Sequence, residues 1–202
     1  MTPQQILALL VSVSFGAGVN VYATVATLGI LQRTQWVDLP PQLDLLGSWW
    51  VIGISTVMFA IEFFADKVPF FDLVWNALHT FVRVPVAAVI AWAATPDLGP
   101  EWQWAATVVS GGIALLAHGG KLAVRSAVTA SPEPASNIAL SLTEDAFAIF
   151  ITWFATTHPY IAAAIVLTLL VITVLLIRWV FRALRRAFSG RPRPSPSLGT
   201  SG

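Results

Sequence analysis

The chain has 202 residues, 56% of them hydrophobic and 10% charged, against roughly 45–50% and about 25% in a soluble globular domain, so it reads as a membrane protein. A formal charge of +1 excludes a basic nucleic-acid surface and an acidic tail. The lack of cysteine removes disulfides and thiolate chemistry, and three histidines make a structural zinc site improbable.

About 20 apolar residues cross a bilayer core about 30 Å thick, so uncharged runs locate the spans. The first, Met1 to Gln32, is too long for a plain span and is interrupted by Gly16-Ala17-Gly18, with Asn20 and Tyr22 following. The second, Leu45 to Ile61, ends in Glu62-Phe63-Phe64-Ala65-Asp66-Lys67, and Pro69 redirects the chain. Residues 69–80 read as a re-entrant or interfacial helix leading into the third span. Trp102 to Gly120 is the fourth, continued through Lys121 and Arg125; the run from Ala146 to Ile177 is long enough for two passes and is cut at His158-Pro159. The expectation is an all-α, polytopic integral membrane protein with spans near 5–32, 46–65, 77–95, 103–127, 137–156 and 160–182, forming one domain over 1–188. Residues 189–202 read as a disordered tail, its last five in part a cloning remnant. Residues 2–32 carry no charge, which argues against a cleaved signal peptide.

Six crossings place both termini on one side. Arg178, Arg182, Arg185, Arg186, Arg191 and Arg193 crowd the C-terminal end, and Lys67, Arg83, Lys121 and Arg125 fall on the same side against Arg33 alone on the other; such clusters remain cytoplasmic. Three spans in each half, with odd parity, leave a 3+3 inverted repeat open, though matching text between the halves is weak.

The polar residues within the spans fall on stripes. Glu62 and Asp66 are four apart; Asp72, Asn76, His79 and Arg83 follow at four, three and four; His118, Lys121 and Arg125 at three and four; Asn137, Ser141 and Glu144, with Asp145, make the last. Three such stripes are hard to place against lipid and should face one another. Glu62, Asp66 and Lys67 also read as a snorkelling group at a span end, and Asp72 to Arg83 as the wet face of a surface helix. Glu144 and Asp145 lie inside a span, where an unpaired ion is expensive, with Lys121 and Arg125 as the expected partners. The breaks at 16–22 and at Ser131-Pro132-Glu133-Pro134-Ala135-Ser136-Asn137 would free backbone groups to bind ions, as in transporters.

These residues also carry a resemblance. Gly18-Val19-Asn20-Val21-Tyr22 with Leu28-Gly29 and Arg33, Glu62-Phe63-Phe64-Ala65-Asp66-Lys67-Val68-Pro69 with Asp72, His79-Thr80-Phe81-Val82-Arg83, His118 with Lys121 and Arg125, and the 131–137 segment with Ser141, Glu144 and Asp145 resemble the small bacterial integral-membrane family catalogued as domain of unknown function 4126. The resemblance covers about residues 10–155 and implies a multi-pass protein of a bacterial inner membrane. Asn76 departs from it where similar chains carry an acidic residue, as does Val84-Pro85-Val86-Ala87. The family name implies no activity.

No nucleophile elbow, zinc-protease helix or phosphate-binding glycine loop is present. The sequence therefore favours a small transporter or channel for a cation, or one coupled to protons. Asn20, Tyr22, Glu62, Asp66, Asp72, His79, His118, Glu133, Asn137, Ser141, Glu144 and Asp145 would line its pathway, with Lys67, Arg83, Lys121 and Arg125 as charge partners. The alternatives are a non-catalytic scaffold or assembly factor with structural ion pairs, and an acid–base enzyme acting on lipid. No cofactor and no nucleic-acid partner is expected; the bilayer is the main partner, a homodimer stays open, and no metal ligand set is assigned. The near-zero charge resolves into three regions: six arginines from residue 178 onward, an acidic opposite face (Asp38, Asp44, Asp97 and Glu101 against Arg33), and an interior in which Lys67, Arg83, Lys121 and Arg125 oppose Glu62, Asp66, Asp72, Glu133, Glu144 and Asp145.

Overall fold

A capping box opens the first helix. Thr2 Oγ1 accepts the Gln5 N–H at 3.3 Å, Gln5 Oε1 accepts the Thr2 N–H at 2.8 Å, and Pro3 occupies the first helical position, where its missing N–H costs no bond. Helix α1 (Pro3–Val19) stops at Asn20, whose backbone is extended (φ −149°, ψ 103°) and whose Oδ1 accepts the Ala23 N–H at 2.9 Å to start α2 (Val21–Arg33). The chain folds back at this residue. Met1, Pro3 and Ile6 share one cavity with Gln32 and Gln35, and a Cβ on Gly16 would stand 2.9 Å from Thr24 Oγ1 across the turn.

The structure, a computed structural model, describes residues 1–66, 69–129 and 134–188, with the side chains of 69–74, 126–129, 134, 137, 184 and 186–188 excepted. After a 3₁₀ turn at Pro41–Gly47, Ser48 caps α3 (Trp49–Ala65) by accepting the Val51 N–H at 3.4 Å. Helices α4 (Pro69–Ala94), α5 (Pro100–Thr129), α6 (Pro134–Thr157) and α7 (Pro159–Phe188) each begin on a proline, as the fixed φ and absent donor of that residue favour. Among the described residues there is no strand.

Four helical stretches are long and apolar enough to cross a membrane, Trp75–Ala94, Pro100–Arg125, Ile138–Thr157 and Pro159–Ala183, and a fifth follows if Pro41–Gly47 and Trp49–Ala65, bent by 59°, count as one. That is fewer than the six expected from sequence. The missing crossing is 5–32, which is a helical hairpin: its arms of 17 and 13 residues rise about 25 and about 20 Å, each short of a core about 30 Å thick. The expected piece at 69–80 is helical but is not a separate re-entrant element. Those residues are the first turns of the continuous helix α4, because Asn76, His79 and Arg83 turn inward and are buried.

The hairpin also leaves Met1 and the end of α7 far apart. Met1 lies with Gln35, Asp38, Thr157 and Pro159, at the end of the bundle where α7 begins, and the 30 residues of α7 lead about 45 Å away from it. The expectation of both termini on one side depended on 5–32 crossing.

Helix α1 is the hub. It packs on α4, α5, α6 and α7, and from Ser12 to Val19 every residue is buried, the surroundings that suit a helix apolar on all sides. Helix α2 lies against α3 and α6. The outer surface is apolar, and its aromatics mark two levels. Trp36, Trp49, Trp50, Trp102 and Trp104 are exposed near the hairpin's open end, whereas on α7 Tyr160 (56% exposed) and Trp179 (63%) are separated by 19 residues. That is about 28 Å of helix, close to the thickness of a hydrocarbon core.

Candidate functional site

Helical spacing turns the sequence stripes into four inward faces that meet below the hairpin tip. Glu62 and Asp66 come from the end of α3, Asn76, His79 and Arg83 from α4, His118, Lys121 and Arg125 from α5, and Ser141, Glu144 and Asp145 from α6; all but Glu144 are buried, and Glu144 nearly so. Gly120 abuts Thr173 and Gly119 faces Ile177, so the cluster sits about 20–25 Å along α7 from Tyr160, towards the Trp179 level.

Arg83 organises one half. Its Nη2 pairs with Glu62 Oε1 and donates to Asn76 Oδ1 at 3.1 Å; its Nη1 donates to the Gly18 carbonyl at 3.4 Å and to His118 Nδ1 at 2.5 Å. An arginine only donates, so His118 Nδ1 accepts, and the ring hydrogen is on Nε2, which donates to the Asn76 carbonyl at 3.1 Å. Arg125 and Lys121 organise the other half. Arg125 Nη2 lies 2.7 Å from Asp66 Oδ2 and 2.6 Å from Glu144 Oε2. Lys121 Nζ lies 3.4 Å from Asp66 and 3.3 Å from Glu144, with Glu62 at 3.7 Å, and donates to the Val19 carbonyl at 3.2 Å. Two of the three cations thus hold carbonyls of the hairpin tip, groups that the helix break at Asn20 leaves without their usual intrahelical donors.

Asp145 is bound differently. Lys121 and Arg125 were its expected partners, but among the described residues its side chain is held only by Asn20, whose Nδ2–H donates to Oδ1 at 2.8 Å; Oδ2 is buried without a hydrogen-bond partner, as are Ser141 Oγ and Glu62 Oε2. His79 is also apart from the carboxylates. Its Nε2 accepts from the Tyr22 hydroxyl at 2.9 Å, its Nδ1–H donates to the Trp75 carbonyl at 2.7 Å, and its ring stacks on Trp75 with centroids 4.3 Å apart.

Asn20, Tyr22, Glu62, Asp66, His79, Arg83, His118, Lys121, Ser141, Glu144 and Asp145, with Arg125, are therefore brought to one end of the bundle. Lys67, Glu133 and the 189–202 tail lie outside the described residues, as do the side chains of Asp72 and Asn137. Sequence reasoning did not name the Gly18 and Val19 carbonyls; the break at Gly16 to Asn20 was their only signal. Nor did it foresee Trp75 behind His79. Among the described side chains four carboxylates, Glu62, Asp66, Glu144 and Asp145, here meet three bases, Arg83, Lys121 and Arg125. At the opposite end, the mouth of the hairpin opens on a cavity of about 870 Å³ whose lining includes Gln32, Asp38, Gln42 and Asp97.

A family model described as Domain of unknown function (DUF4126) matches residues 7–179. No curated protein and no solved structure matches the chain.

Proposed function

The chain belongs to the DUF4126 family, whose description assigns no activity, and from the geometry of its buried cluster we propose that it is a small multi-pass carrier for a cation or for protons. The observation that carries the reading is the hairpin. A pair of short helices enters from one side, turns at Asn20 and sets two carbonyls freed from the helical ladder, and an asparagine, against a charged cluster that among the described side chains holds one more carboxylate than it has bases. Broken helices of this kind form ion and substrate sites in transporters. An intramembrane carboxylate without a cationic partner is a functional group by default. The acidic cavity at the mouth of the same hairpin supplies a cation-attracting approach from the opposite face. In this reading the protein lies in a bacterial plasma membrane with the arginine-rich end of α7 in the cytoplasm. His79 and His118 have both ring nitrogens engaged, which favours transport over acid–base chemistry on lipid.

A second reading has its own support. Glu62, Asp66 and Glu144 are directly paired, as in a scaffold whose ion pairs only fix helix register. Flux decides between them. Reconstituted protein should move protons or alkali cations across vesicles above the empty-vesicle rate, and Asp145→Asn should lower that rate at least about tenfold, the scale of one lost buried interaction. Vesicles no leakier with the protein than without it would reject the carrier and leave the scaffold.

A further inference from the structure

Resting on the carrier reading, we propose that the ion bound at this site is a proton, carried on Oδ2 of Asp145, with Asn20 and Ser141 as the residues that position it. Asp145 is 4% exposed and Ser141 0%, so neither oxygen reaches bulk water. Asn20 Nδ2–H donates to Asp145 Oδ1 at 2.8 Å, which marks Oδ1 as the carbonyl-like oxygen. That leaves Oδ2, buried and without a partner among the described residues, as the atom on which a hydrogen resides. Ser141 precedes Asp145 by one helical turn on the same face, and its Oγ is likewise buried without a partner.

The surrounding charges point the same way. Asn20 faces Asp145 from the hairpin, Glu62 and Asp66 act on it from α3, Lys121 from α5, and Glu144 and Ser141 share its own helix. The bases are already engaged: Arg83 by Glu62, Arg125 by Asp66 and Glu144, and Lys121 by Asp66, Glu144 and the Val19 carbonyl. An ionised Asp145 would therefore add a buried negative charge near Glu62 and Asp66, opposed among the described residues by a Lys121 that other acceptors already share, at a cost that a buried group avoids by binding a proton. A metal cation fits less well. Calcium takes about six to eight oxygens and magnesium a near-octahedral set, whereas Asp145 Oδ2 and Ser141 Oγ are two. Among the described residues no three His, Cys, Asp or Glu side chains are placed to hold a metal ion. A proton needs one lone pair.

Asn20 performs two tasks at once, since its Oδ1 caps α2 while its Nδ2 holds Asp145. Loading and unloading of the proton is thereby felt at the residue on which the hairpin turns.

The test is infrared spectroscopy of the full chain in lipid nanodiscs at neutral pH. A protonated-carboxyl C=O band is expected in the parent protein, absent in Asp145→Asn, kept in Glu144→Gln, and moved in frequency in Asp145→Glu, which retains an acid if the asparagine variant fails to fold. A missing band, a band unaltered by all the Asp145 substitutions, or a band that sodium, potassium or calcium chloride abolishes would overturn the proton assignment. A band assigned to Asp145 in a protein without flux keeps the proton site and rejects the carrier; flux without the band does the reverse.

Discussion

Arg83 illustrates how much of the site depends on single side chains. It is fully buried and holds Glu62, Asn76, His118 and the Gly18 carbonyl together, so Arg83→Met leaves a buried carboxylate without its closest counter-ion and should destabilise the protein by about 3–5 kcal/mol. The measurement is the thermal midpoint of the purified protein in detergent. Pairing it with Glu62→Leu removes the stranded charge and should recover part of the loss; a double variant no more stable than Arg83→Met would mean that the Asn76, His118 and Gly18 contacts dominate. At this scale the sequence was legible in part. Spacings of three and four put Glu62 with Asp66, and His118 with Lys121 and Arg125, on common faces, and the cost of burying ions required the faces to meet. It did not reveal that Asp145 bonds Asn20, 125 positions away, rather than the bases on α5. That choice depends on how deep the hairpin reaches, which no local spacing encodes.

Among the elements, the hairpin was the least legible and the long helices the most. Hydropathy and proline positions placed α4 to α7 within a few residues, apart from the first turns of α4, because length and apolar content decide a span. An uncharged run such as 5–32 satisfies the same criteria, and the break at Gly16 to Asn20 does not state its angle. The close packing of the tip is testable. A Cβ on Gly18 would stand 2.7 Å from Ala117 Cβ and also meet the Ala114 backbone, whereas one on Gly53 meets nothing within 4 Å. Gly18→Ala should therefore cost about 1–3 kcal/mol by overpacking and lower flux, and Gly53→Ala should leave the thermal midpoint unchanged or slightly raised. Equal midpoints for the two variants would mean that the tip yields where the geometry says it is wedged.

For the whole molecule, Met1 and the last turns of α7 lie at opposite ends of the bundle, which predicts that they face opposite sides of the membrane. The absence of cysteine makes this simple to check with single-cysteine variants and a membrane-impermeant maleimide. Thr2→Cys and Gln42→Cys should react from one side and Arg182→Cys from the other; Thr2→Cys and Arg182→Cys reacting from the same side would restore a first segment that crosses. The hairpin's position among the later helices also has a consequence for biogenesis. Helix α1 leaves the ribosome first, yet the surfaces that cover it belong to α4, α5, α6 and α7, made last. Its arms are too short to be held by the bilayer as spans, and its tip residue waits for a carboxylate 125 positions downstream. Insertion and folding are therefore out of step at the N-terminus: the hairpin can be threaded into place only after the rest of the bundle exists, a long-range closure of the kind that slows folding. Truncated nascent chains ending before α6 should accordingly leave residues 3–33 open to protease.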